Sequence, residues 1–254
     1  MIGNDAGYTQ NLGGAGTSYG YNTNIGFQSG FSNVSGTSNT YIGNAAGHAK
    51  TGGSNVAVGM RAMQNVASGG GNTAVGAIAG VHIHGNYATH IGYQAGRFSS
   101  GSNNTSLGFK AGYGSITSAP YSTGTDNTSV GYQALQNFTS GNYNVAVGRN
   151  AGDALTDGES NTFIGTNAGS TTTSVESTVF IGRDAGVNGN VTSDANGTIG
   201  IGRDALMALT SGIGNVAVGA YALKVEDDGD YNTAIGYQAL TAQTGTSGTV
   251  ANTA

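Results

Sequence analysis

The sequence predicts an all-β fold, a repetitive β-solenoid or β-roll of about fourteen coils with 16 or 17 residues each. Three features predict it: a fixed repeat, a composition that starves helices, and side-chain alternation inside each repeat. The repeat reads N-[TV]-x-[VIL]-G-x-x-[AS]-[GL], with its central glycine at Gly3, Gly26, Gly43, Gly59, Gly76, Gly92, Gly108, Gly131, Gly148, Gly165, Gly182, Gly202, Gly219 and Gly236. Self-similarity at a short fixed period is the signature of a solenoid. The 254 residues include 47 Gly, one Pro and 8% charged residues, against about 25% charged in an average domain. Gly and Asn propagate helices poorly. Evenly spaced Val, Ile and Leu, with a net charge of only -5, argue against disorder.

Within a repeat, Ile, Val or Leu precedes the central glycine, as at Val58, Val75, Leu107, Val147 and Ile235, and Thr or Val usually stands two residues earlier. Side chains alternate along a strand, so this pair shares one face, predicted to point into the chain's own core. The residue between them is often small (Ala57, Ala74, Ser106, Ser129, Ala146, Ala217, Ala234). That row, with Tyr41, His90, Phe163 and Phe180 at wider points, is predicted to lie against a partner chain. A second apolar position at Val66, Ile83, Phe138, Leu155 and Leu209 predicts a second strand, separated from the first by Gly, Ser and Asn turn chemistry. Such a coil buries its apolar face only when a neighbour stacks on it. The resulting thin core favours an oligomer. One domain spans 1–254, with insertions at 8–21, 113–126 and 187–197, where the glycine interval lengthens to 23, 23 and 20 residues.

An asparagine stands four residues before the central glycine at Asn22, Asn39, Asn55, Asn72, Asn104, Asn127, Asn144, Asn161, Asn215 and Asn232. Stacked coils predict an amide ladder along this row, as in cross-β stacks. Ala88, Thr178 and Thr198 interrupt it.

Several function classes are disfavoured. The eight basic residues are scattered, so nucleic acid is not an expected partner. No run approaches the roughly 18 apolar residues of a membrane span, and no membrane insertion is expected. With no Cys there is no disulfide or zinc-thiolate site. No nucleophile and base, nor paired carboxylates, stand in a pattern that points to catalysis, and no enzymatic activity is expected.

Runs such as NTSVGYQAL (127–135), NVAVGRNAG (144–152) and NTAIGYQAL (232–240) resemble repeats of bacteriophage tail-fibre proteins. They are also similar to the head repeats of trimeric autotransporter adhesins. The resemblance implies parallel β-rolls packed around a three-fold axis, at an extracellular or virion location, with a host-surface polysaccharide or protein receptor as partner. The chain opens inside a repeat and stops soon after one, which predicts a segment of a longer assembly.

Insertions on a regular scaffold are where recognition is expected. Tyr113, Pro120 and Tyr121 in one insertion, and Tyr19 and Tyr21 in another, are therefore the candidate receptor-binding residues. His82 and His84 flank Ile83 and share one side of the chain. In a trimer they would gather six imidazoles, suited to iron or nickel; the alternative is a solvated pair, and no other cofactor is expected. Glu226, Asp227, Asp228 and Asp230 form the densest acidic run; it matches no standard calcium loop and is read as a solvated turn. The resulting expectation is a structural and adhesive fibre segment. A self-assembling extracellular filament and an ice-binding solenoid are the alternatives, the latter disfavoured because the Thr row is expected to face inward.

Overall fold

The structure, a computed structural model, describes residues 1–8, 20–49, 52–66, 68–115, 121–187, 191, 195–243, 248–249 and 253–254. Among them the chain forms a parallel β-solenoid of about twelve turns with no α-helix. Its contacts gather into two compact units, Met1–Asp126 and Asn127–Ala254. In the first, β1 (Thr23–Ile25), β2 (Thr40–Ile42), β3 (Val56–Val58), β4 (Thr73–Val75), β5 (Thr89–Ile91) and β6 (Thr105–Leu107) stack in chain order. In the second, β7 (Thr128–Val130), β8 (Val145–Val147), β9 (Thr162–Ile164), β10 (Val179–Ile181), β11 (Ile199–Ile201), β12 (Val216–Val218) and β14 (Thr233–Ile235) do the same. There β13 (Gly229–Asp230) pairs in parallel with β15 (Gly248–Thr249). Register is strict: Thr73 faces Thr89, Ala74 faces His90 and Val75 faces Ile91.

Each of these three-residue strands ends at a central glycine, and Gly76 shows why. Its φ is +133°, and a Cβ there would lie 2.5 Å from the carbonyl oxygen of Gly92 in the next coil. Two residues on, the chain turns through a left-handed residue, as at Ile78 (φ 61°), Gln94 (φ 58°) and Lys110 (φ 51°). Another follows two positions later, as at Met63 (φ 52°) and Leu135 (φ 47°). Left-handed residues at this spacing break extended backbone. The predicted second strand is accordingly absent from Val66, Ile83, Phe138, Leu155 and Leu209, which are buried in turns and loops instead.

The predicted core face is inverted. In all thirteen three-residue strands of the described residues, the middle residue is buried and its two neighbours are not. Ala57, Ala74, His90, Ala146, Phe163, Phe180, Ala217 and Ala234 are each 0% exposed within their own chain, so this row does not lie against a partner. The reason is space. A coil this narrow already holds the alanine three residues after each glycine (Ala46, Ala62, Ala79, Ala95, Ala151, Ala168) and the buried turn residue. Two further β-branched side chains per strand do not fit inside, so the Thr/Val and Ile/Val/Leu rows face outward.

Volume is exchanged within several coils. A large strand-middle residue is matched by glycine six residues later, as in Tyr41 with Gly47, Phe163 with Gly169 and Phe180 with Gly186. In four coils a small one is matched by a long side chain there: Ala57 with Met63, Ser129 with Leu135, Gly200 with Leu206 and Ala217 with Leu223; Ala74 and Ala146 instead precede Gly80 and Gly152, where Ile83 and Phe163 take up the space. A Cβ on Gly186 would lie 2.5 Å from the Phe180 ring, which makes the exchange a steric requirement.

From Asn39 onward the asparagine row is buried, and it joins coil to coil. Asn39 N–H donates to Asn22 Oδ1 at 2.8 Å, Asn55 N–H to Asn39 Oδ1 at 2.8 Å, and Asn72 N–H to Asn55 Oδ1 at 3.0 Å. In the second unit Asn144 and Asn161 bond the preceding Asn127 and Asn144 in the same way, at 2.9 and 3.0 Å. The amide nitrogens donate to backbone carbonyls, as Asn144 does to Gly158 at 2.8 Å and Asn215 to Gly229 at 2.7 Å. Ala88 and Thr178 receive the rung through their own N–H groups, from Asn72 at 2.8 Å and Asn161 at 3.0 Å, and pass none on through a side-chain amide.

Two predictions follow from this packing. Phe180→Ala alone should cost about 3–5 kcal/mol in urea denaturation, and Gly186→Leu alone should also destabilise. The double variant copies the Ala217/Leu223 pairing of a later coil, so its loss should be at least about 2 kcal/mol smaller than the sum. The second concerns His90, fully buried with neither ring nitrogen partnered. Burial pushes its pKa down from 6.5 to about 4. The unfolded chain binds this proton more tightly, so stability is full above pH 6.5 and falls as pH drops toward 4, by on the order of 3 kcal/mol. His90→Phe, in the environment that Phe163 and Phe180 already occupy, should flatten that part of the stability profile.

Candidate functional site

The insertion at 113–126 builds the most distinctive side-chain cluster on the first unit. Phe98 N–H donates to the Tyr113 carbonyl at 2.8 Å, which sets Tyr113 on the next coil beside Phe98. The insertion then returns: Ser122 N–H donates to the Phe98 carbonyl at 3.0 Å, and Ser100 N–H to the Ser122 carbonyl at 2.7 Å. Its base is closed by Ser115 N–H donating to Ser122 Oγ at 2.7 Å. Both tyrosines are thereby delivered to one edge.

The rings converge. His82 lies 4.1 Å from Tyr121 and 5.3 Å from Phe98, centroid to centroid. Phe98 lies 5.3 Å from Tyr121 and meets Tyr113 edge-on at 5.2 Å. Two cations border the rings. The Arg97 guanidinium stands 4.8 Å from the Phe98 centroid and donates to Tyr113 Oη at 3.4 Å. Lys110 Nζ stands 5.4 Å from the Tyr113 centroid and 5.5 Å from that of Phe109. Neither cation forms an ion pair among the described residues. His82, Arg97, Phe98, Tyr113 and Tyr121 are all half-buried, so the rings keep exposed surface.

Burial, with the neighbouring charges of His84 and Arg97, pushes the His82 pKa down to about 4. At neutral pH His82 is therefore an uncharged stacking ring, and Arg97 and Lys110 carry the local positive charge. A second stack lies on the same unit, with Tyr8 5.2 Å from Phe31 and Phe31 5.0 Å from His48, the rings of each pair nearly parallel. In the second unit no aromatic residue stands five or six positions after a central glycine; Gln136, Asp153, Ser170, Met207 and Lys224 take the place of Tyr8, Phe31 and His48. The aromatic edge belongs to the first unit.

Of the predicted site residues, Tyr113, Tyr121 and His82 come together. Tyr21 is 77% exposed, while Tyr19 and Pro120 lie outside the described residues. His84 is exposed beside buried Ile83, so one chain offers two imidazoles, of which His82 is engaged in ring stacking. Phe98, Arg97 and Lys110 escaped sequence reasoning: Arg97 and Phe98 sit just after a repeat motif and take their meaning from residues one coil away, and Lys110 occupies a variable position inside the motif. The signal was there in the 16-residue offset that sets Arg97 beside Tyr113. No protein-family model, curated protein or solved structure matches the chain.

Proposed function

We propose that the chain is a structural and adhesive fibre segment, non-enzymatic and homotrimeric, that works at an extracellular or virion surface and holds a host-surface glycan on its aromatic edge. One observation carries the fibre reading: the outward-facing β-branched rows. In the first unit these are Thr23, Thr40, Val56, Thr73, Thr89 and Thr105 beside Ile25, Ile42, Val58, Val75, Ile91 and Leu107. The second unit continues the pattern, with Ile164 37% exposed and Ile235 64% exposed. Contiguous aliphatic surface of this kind marks an interaction face, and its repeat geometry suits another copy of the same repeat. The resemblance to tail-fibre and adhesin-head repeats supports three copies.

The glycan reading rests on the cluster around Phe98. Ring faces stack on the C–H faces of sugars, and Arg97 and Lys110 favour acidic ones, with guanidinium geometry matched to carboxylate or sulfate. Three copies on one assembly would multiply a weak contact into avidity.

A second reading has its own observation. Five of the six residues in the first row of the first unit are Thr and face outward, which removes the objection to ice binding drawn from an inward Thr row. The partner row of Ile, Val and Leu favours self-association over an ice face.

Light scattering across a concentration series should give a fixed mass of three chains, and Val75→Asp with Ile91→Asp should reduce it to one. A wild-type monomer at every concentration would overturn the fibre reading, and thermal hysteresis in that monomer would establish the ice-binding one. A mass that grows with concentration would instead indicate a filament. In affinity electrophoresis through a uronic-acid polysaccharide, Tyr121→Ala and Arg97→Gln should each weaken retardation at least tenfold, with the oligomer mass unchanged.

A further inference from the structure

The sequence reads the acidic run before β13 as a solvated turn, and the structure corrects this. Glu226 is 0% exposed. Its Oε1 accepts the Gly229 N–H at 2.7 Å, which fixes the carboxylate, and its Oε2 is buried without a hydrogen-bond partner. Asp228 Oδ1 is likewise buried and unpartnered. Carboxylate oxygens of Glu226, Asp227 and Asp228 all lie within 4.8 Å of one another, and no other group of three or more His, Cys, Asp or Glu ligands is so close among the described residues. The nearby Lys224 pairs with Asp204 at 3.8 Å.

The turn is also held in place from the preceding coil. Thr210 and Ser211 N–H groups donate to the Asp227 carbonyl at 2.8 and 3.2 Å, and Ile213 N–H donates to Asp230 Oδ1 at 2.9 Å. Three converging carboxylates on a fixed backbone, two with a buried oxygen that lacks a donor, are unfavourable unless positive charge lies among them. We infer that Glu226, Asp227 and Asp228 bind a divalent cation, and the donor chemistry selects calcium. All the ligands are hard oxygens, with no imidazole or thiolate to favour a transition metal. Asp227 is exposed, which leaves one side open for the water ligands that complete calcium's six to eight. Bound there, the ion braces the turn whose Asp227 carbonyl accepts the Thr210 and Ser211 N–H groups of the preceding coil.

The test uses the full chain. Equilibrium dialysis against calcium chloride should find one bound ion per chain at millimolar concentration, and calcium should raise the thermal midpoint by several degrees, reversed by EDTA. Asp227→Asn with Asp228→Asn should fold, weaken binding more than tenfold and abolish the calcium response. Because Glu226 is buried and Glu226→Gln can fail by misfolding, the double aspartate variant decides. No bound calcium and no thermal shift in the wild-type chain would overturn the inference, as would a shift that persists in the double variant.

Discussion

Successive coils meet backbone to backbone at the central glycine, and the approach leaves no room for a Cβ. At Gly76, Gly148 and Gly165 the missing atom would fall 2.4–2.5 Å from a carbonyl oxygen of the next coil. That contact brings the strands into parallel register and ends each after three residues. It also launches the left-handed turn that keeps Val66, Ile83, Phe138, Leu155 and Leu209 out of a second strand. The buried Asn rungs depend on the same spacing, since a side-chain carbonyl reaches the next coil's N–H only if coils lie one strand apart, about 4.8 Å. In a protein with 8% charged residues and no Cys, these rungs replace ion pairs and disulfides as the links along the stack.

The repeat, the strand positions and the asparagine row were legible because they depend only on period. The inside and outside of the strand were not. Hydrophobicity alone sends Val75 inward and Ala74 outward, whereas the narrow coil does the reverse. The decisive clue was a compensation spread over six residues: Phe180 with Gly186 against Gly200 with Leu206. A leucine held at φ 51°, as Leu206 is, is a costly conformation for a side-chain-bearing residue. It is tolerated because the side chain fills the gap opposite a strand residue with none.

The candidate site shows the same limit. Tyr113 and Tyr121 were visible as insertion aromatics, and His82 as part of a histidine pair. Their convergence on Phe98 depends on the insertion returning to pair with the preceding coil through Ser99 and Ser122, a long-range event that no local pattern encodes. Glu226 belongs here too. Composition reads four acids in five residues as solvent-facing, and only the fold reveals that the first of them turns inward.

The functional account rests on which strand face is open. The chain contains no Cys, so thiol labelling of single-cysteine variants at adjacent positions reports it directly. Val75→Cys should react faster than Ala74→Cys under native conditions, and association between copies slows the former only until the copies separate, well before the chain unfolds. Ala74→Cys should react only on unfolding. Equal rates, or faster labelling at position 74, would contradict the inverted core and with it the outward β-branched face.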